Sequence, residues 1–140
     1  MKAVIQRVKR AKVGSEEIGQ GLLILVGLER GDTPDKFPRF VRKMVNLRIF
    51  EDENGKLNLS VRDIDGEILI VSNFTLAADV RKGNRPSFAR AMPADEAGQM
   101  YRMLVDMFRE AFPAVKTGQF QTYMEVELVN AGPVTIIYSD

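Results

Sequence analysis

The chain has 140 residues, with 20 lysines and arginines against 19 aspartates and glutamates, and neither cysteine nor histidine. That length suits one domain with a sizeable core, and a net charge of +1 excludes a surface that grips nucleic acid everywhere, leaving only a local basic patch for such contact. Disulfides, thiolate nucleophiles, Ser-His or Cys-His catalysis and histidine-bound metals are excluded, so an enzyme made from this chain works through backbone groups, hydroxyls, carboxylates, lysines or its own substrate.

Residues 1–8 are rich in β-formers with rough alternation, and Gly14-Ser15-Glu16 is turn material, which predicts two strands and a tight connection. Residues 21–28 form a continuous apolar run between Gly19 and Gly31, the pattern of a strand buried on both faces. The run is too short to cross a bilayer, and residues 1–5 lack the layout of a signal peptide, so no membrane association and a cytoplasmic location are expected. Asp32-Thr33-Pro34-Asp35 supplies helix-start chemistry, and Phe37, Phe40, Val41, Met44 and Val45 share one helical face, with Pro38 either in the first turn or kinking the helix. Residues 47–50 and 57–61 flank an Asn54-Gly55 pair and read as a hairpin.

Residues 68–71 are a second buried strand, which runs directly into Ser72-Asn73-Phe74-Thr75-Leu76. A polar loop over residues 79–88 follows, then a long helix over residues 94–112 that opens with Pro93, Asp95 and Glu96. Ala97, Met100, Tyr101, Leu104, Phe108 and Ala111 mark its apolar face, which Met103 and Met107 broaden for core packing. Near the end, Met124, Val126 and Leu128 alternate with glutamates, then Gly132-Pro133 intervenes before a second alternating run from Val134. Pro133 has no N–H for a ladder and Gly132 has no side chain, so the local sequence reads as a turn between two strands. Many strands and two helices without repeats or linkers predict an α+β domain over residues 1–140, its sheet curled into a barrel or packed beneath the helices.

Three places break the alternation of core and surface. Residues 72–75 put two hydroxyls and an amide at a sheet rim, where satisfying local backbone is their default use. The loop gathers Arg81, Lys82 and Arg85, by itself a solvated charge cluster before it is a phosphate site. Gly132-Pro133 is the third.

Together these stretches resemble the D-aminoacyl-tRNA deacylases, also called D-tyrosyl-tRNA deacylases. The resemblance is carried by Met1-Lys2-Ala3-Val4-Ile5-Gln6-Arg7-Val8, Asn46-Leu47-Arg48-Ile49-Phe50-Glu51-Asp52 and Leu57-Asn58-Leu59-Ser60-Val61. It continues through Val71-Ser72-Asn73-Phe74-Thr75-Leu76, Lys82-Gly83-Asn84-Arg85-Pro86-Ser87-Phe88, Thr117-Gly118-Gln119-Phe120 and Asn130-Ala131-Gly132-Pro133-Val134-Thr135. It implies a β-barrel-like homodimer in which a cis Gly132-Pro133 turn of one subunit enters the active site of the other. The implied reaction is hydrolysis of the ester between a D-amino acid and the terminal adenosine of tRNA, with no cofactor and no metal.

Ser72, Phe74 and Thr75 are the implied catalytic residues, the Phe74 N–H being the oxyanion donor, and Asn73, Gly132, Pro133 and Met124 bind substrate. Arg81, Lys82 and Arg85 are the expected RNA contacts. Thr75 would need a base to act as nucleophile and the chain has no histidine, so the resemblance favours assistance by the substrate's ribose 2′-hydroxyl. Discrimination by steric rejection of an L side chain poorly excludes glycine, so glycine mischarged on tRNA(Ala) is a second expected substrate. The chain departs from the family at Asn73, where Gln is usual, at Ala131, where an acid is usual, and at Gln121-Thr122, where small residues are usual. Two rival readings are a non-catalytic protein that binds the tRNA acceptor end on the same fold, and an unrelated small-molecule enzyme on a similar barrel.

Overall fold

In a computed structural model that describes residues 1–140, twelve elements alternate extended chain with two α-helices and two short 3-10 turns. The strands are β1 (Lys2–Val13), β2 (Glu16–Ile18), β3 (Gly21–Gly27), β4 (Phe50–Glu51), β5 (Leu57–Leu59), β6 (Glu67–Ser72), β7 (Val115–Thr117) and β8 (Val126–Ser139). The helices are α1 (Phe37–Val45) and α2 (Ala94–Ala111). The main sheet runs β2-β1-β3-β6-β7 with β8 also paired to β1, and it curls into a nearly closed barrel; β4 and β5 form a separate hairpin. The architecture is therefore α+β, as expected from the order of patterns.

Two parallel pairings, β3 with β6 and β6 with β7, force the chain to cross over between them. α1 lies in the first crossover and α2 in the second, and both pack on the same sheet face. Alternation sorts the strand side chains accordingly. Leu22, Ile24, Ile68 and Ile70 join Phe37, Phe40, Leu104 and Phe108 in the larger core, where Phe40 meets Phe108 edge-on at 5.9 Å. Leu23, Leu69 and Val71 point to the opposite face with Val8, Val13 and Ile18, and there Met124, Val126 and Leu128 fold over them. The apolar run of β3 is thus buried by helices on one side only; its other side is the floor of a cavity. Along α2, Met100, Tyr101, Leu104, Val105 and Phe108 are buried, but Met103 is 42% exposed and does not widen the core face.

The reading of two strands around Gly132-Pro133 is corrected. β8 is one strand that pairs with β1 throughout, but Gln6 faces Thr135 while Val8 faces Asn130. Residues 131–134 therefore bulge out opposite Arg7 alone. The Gly132–Pro133 peptide bond is cis.

Candidate active site

β6 ends at Ser72, and the chain turns at once because Asn73 caps the 3-10 turn Phe74–Ala77 with its own side chain. The Asn73 N–H donates to Val26 O at 2.8 Å, and the Leu76 N–H donates back to Asn73 O at 3.3 Å. This fastens the turn across the end of β3. Gly27 makes the approach possible, since a Cβ there would lie 2.8 Å from Leu76 Cβ and 2.9 Å from Asn73 O.

Hydrogen bonding in the turn fixes which of its groups are already taken. The Thr75 N–H donates to Asn73 Oδ1 at 3.2 Å, and the Thr75 hydroxyl meets the same atom. A main-chain N–H can only donate, so the shared atom is the amide oxygen and the hydroxyl must donate to it as well. Thr75 consequently offers a ligand only its oxygen lone pairs. The Phe74 N–H, by contrast, has no acceptor within the chain and remains available.

Residues 72–75 edge a cavity of about 970 Å³ that runs from the sheet face opposite the helices to the first turn of α2, where Ala94 and Ala97 line it. Leu23, Leu25 and Val71 floor it, and Met124, Val126 and Leu128 wall it from β8 and the segment before it. Phe74, 58% exposed, stands at the mouth against Phe88, with ring centroids 5.2 Å apart. Phe120 closes the far side, stacked on Tyr101 at 5.7 Å and lying where a side chain on Gly98 would be, 3.1 Å from a Cβ. The Tyr101 hydroxyl is buried and donates to Ile70 O, and burial pushes its pKa up, so it stays a neutral structural pin. The cavity is mostly apolar, with its few polar side chains confined to residues 72–75 and to Gln121-Thr122, the composition of a site that holds an organic ligand.

Ser72, Asn73, Phe74, Thr75 and Met124 all line this cavity, as do Gln121 and Thr122. Gly132 and Pro133 do not; they are exposed on the bulge of β8. Arg81, Lys82 and Arg85 also stand outside the lining, in an exposed loop whose base is closed by Asp79 pairing with Ser87. That loop leaves from the Phe74–Ala77 turn and returns at Phe88, so it is anchored beside the cavity mouth. Arg81 chelates Asp79, and this bonding holds the Asp79 carboxyl well below the usual carboxylate range. Lys82 and Arg85 have no ion pair.

Arg7 was not singled out from the sequence. It is 8% exposed; its Nε donates to Ala131 O at 2.7 Å and its Nη1 to Ile49 O at 3.0 Å, with Glu51 Oε1 3.7 Å from Nη2. The guanidinium thus fills the gap that the bulge leaves in the ladder. A signal was present: Ala3, Ile5 and Arg7 share one face of β1, and a charge in that series asks for a buried partner.

Comparison with known proteins bears on what this site is for. A family model described as D-Tyr-tRNA(Tyr) deacylase matches residues 4–139. The D-aminoacyl-tRNA deacylase of Carboxydothermus hydrogenoformans is 51% identical over 98% of this chain and 98% of that protein. The one from Geobacter sulfurreducens is 53% identical over 98% and 93%. A solved structure named c-Myc DNA Unwinding Element Binding Protein has a TM-score of 0.94 at 43% identity, covering 100% of this chain and 99% of its own. Another, described as a probable eukaryotic D-amino acid tRNA deacylase, reaches a TM-score of 0.86 at 15% identity over 98% and 97%, which shows a shared fold.

Proposed function

The chain belongs to the D-Tyr-tRNA(Tyr) deacylase family, whose members hydrolyse D-aminoacyl-tRNA, and from that premise we propose how its own residues carry out the reaction. The terminal adenosine enters the apolar cavity with its ester beside residues 72–75. The carrying observation is the Phe74 N–H at the rim, which has no acceptor within the chain and lies next to a Thr75 N–H already taken by Asn73. It receives the carbonyl oxygen as negative charge develops there.

Thr75 is not the nucleophile. Its hydroxyl proton is committed to an amide oxygen, which is no base, and the chain has no histidine. Asp79 is tied to Arg81, and Lys82 lies outside the cavity, so neither is supported as a general base. The ribose 2′-hydroxyl beside the ester orients a water molecule and relays its proton. The water oxygen bonds to the carbonyl carbon, the tetrahedral intermediate expels the 3′ oxygen, and that oxygen takes up the proton the water gave up. The products are a free D-amino acid and tRNA with its 3′-hydroxyl restored. A reacting group held next to the ester gains much of its rate from proximity.

Selection against L esters comes from the Gly132–Pro133 turn of a second copy of the chain. In support, the turn is exposed and absent from its own cavity, while Ile136 and Ile137 beside it on β8 are 37% and 78% exposed. Backbone carbonyls of the turn accept the substrate's α-ammonium and occupy the space of an L side chain, so the enzyme is a homodimer with shared sites. Glycine lacks the excluded group, and glycine on tRNA(Ala) is accepted for that reason. Lys82 and Arg85, free of ion pairs and anchored beside the mouth, contact the acceptor-end phosphates. Residues 1–140 act as one deacylase unit, and the compartment is the cytoplasm, where tRNA is charged; no helix is long and apolar enough to cross a membrane.

Deacylation of D-tyrosyl-tRNA against L-tyrosyl-tRNA tests the proposal. Turnover of the D ester alone is expected. Binding without turnover would support the non-catalytic acceptor-end reading, and equal loss of both esters would remove chiral proofreading.

A further inference from the structure

We infer that Asn130 is a positioning residue for chiral selection: its side chain closes the neck of the residue 131–134 bulge and thereby fixes where the Gly132–Pro133 turn projects. The inference rests on the proposed role of that turn. Residues 131–134 have only Arg7 opposite them on β1, so the ladder cannot hold their shape. Arg7 Nε holds Ala131 O, and the Asn130 amide replaces the ladder at Val134, the other end of the bulge. Asn130 Oδ1 accepts the Val134 N–H at 2.7 Å, and Asn130 Nδ2 donates to Val134 O at 3.1 Å, so one side-chain amide pairs with both polar groups of the residue that ends the bulge. Nδ2 also lies 3.1 Å from Gln6 Oε1 and 3.1 Å from Thr135 Oγ1, which ties the neck to β1 and to the strand beyond.

The orientation of the amide is not arbitrary. The Val134 N–H must face an acceptor, so the carbonyl oxygen points there, and Nδ2 is then the atom among three oxygens. That makes Asn specific in a way that size does not. Aspartate has the same shape and preserves the bond from Val134 N–H, but it sets a second oxygen against Val134 O, a main-chain acceptor that cannot become a donor. The bulge would open at its neck while the strand on either side keeps its ladder. The turn carries the selectivity, so opening it admits L side chains before it abolishes the reaction.

The test is kcat/KM for D-tyrosyl-tRNA and L-tyrosyl-tRNA with Asn130→Asp, with Asn130→Ser as the uncharged second variant, and with Gly132→Ala as a probe of the turn itself. Melting curves of each confirm folding. The D-to-L ratio is expected to fall about tenfold in both Asn130 variants, the scale of losing one or two hydrogen bonds from the turn. Rates for D and L that change by the same factor, or an unchanged ratio, would overturn the inference. If Gly132→Ala lowers the ratio and the Asn130 variants do not, Asn130 is no positioning residue and the role of the turn stands. If none of the three changes the ratio, the role assigned to the turn fails as well.

Discussion

Asn73 illustrates how one side chain sets the chemistry of its neighbours. The sequence reading gives it to the substrate; in the structure its oxygen accepts both the Thr75 N–H and the Thr75 hydroxyl proton, and its Nδ2 has no partner within the chain. Through that oxygen it sets the shape and polarity of the turn. Thr75 is left as an acceptor, and the Phe74 N–H is left as a donor. Thr75→Ala is therefore expected to keep kcat within about tenfold of the parent, since no proton transfer through that hydroxyl is required. A loss of about 10³-fold or more, the scale of removing a true acid–base or nucleophilic group, would restore Thr75 as the attacking residue. Glutamine at position 73 is one methylene too long to cap the turn in the same way, which gives the departure from the usual residue a local consequence.

At the scale of elements, the site depends on β6 ending where β3 can receive the turn. Gly27→Ala tests that dependence. The added methyl would sit 2.8 Å from Leu76 Cβ and 2.9 Å from Asn73 O, and the main-chain oxygen cannot step aside without moving the turn. A loss of about 1–3 kcal/mol in urea unfolding is expected, the usual cost of overpacking. A fall in kcat of up to about 10²-fold should accompany it as the Phe74 N–H shifts. Unchanged stability and turnover would mean that the turn is not held by this contact. The elements themselves were legible wherever their signal is local. β3 and β6 as apolar runs, the Asn54-Gly55 hairpin and α2 after Pro93 all follow from residues a few positions apart. The bulge in β8 was not legible, because it is a mismatch in register against β1, more than a hundred positions away in the chain.

For the whole molecule, the two sheet faces divide the work. One carries α1, α2 and the larger core; the other is left partly open as the floor of the cavity, which the first turn of α2 also lines. Apolar runs in β3 and β6 could not reveal this, since side chains that floor a cavity look the same in sequence as side chains packed under a helix. Residues 72–75 were legible as a break in pattern because a polar segment interrupts a strong strand, whereas Met124 is named only through the family resemblance; all of them line the cavity. Arg7 was missed because its partners are main-chain oxygens of Ala131 and Ile49, which no side-chain pattern announces. The fold thus supplies a shaped apolar cavity and one unbonded N–H at its rim, but neither histidine nor cysteine anywhere in the chain to serve as base or nucleophile. The account therefore places the proton transfer on the substrate. The most direct measurement is single-turnover hydrolysis of D-tyrosyl-tRNA whose terminal adenosine lacks the 2′-hydroxyl, with the amino acid on the 3′ oxygen. Cleavage is predicted to slow by about 10²-fold or more, the scale of losing general acid–base assistance, while binding is retained. Undiminished cleavage of the 2′-deoxy substrate would contradict the account.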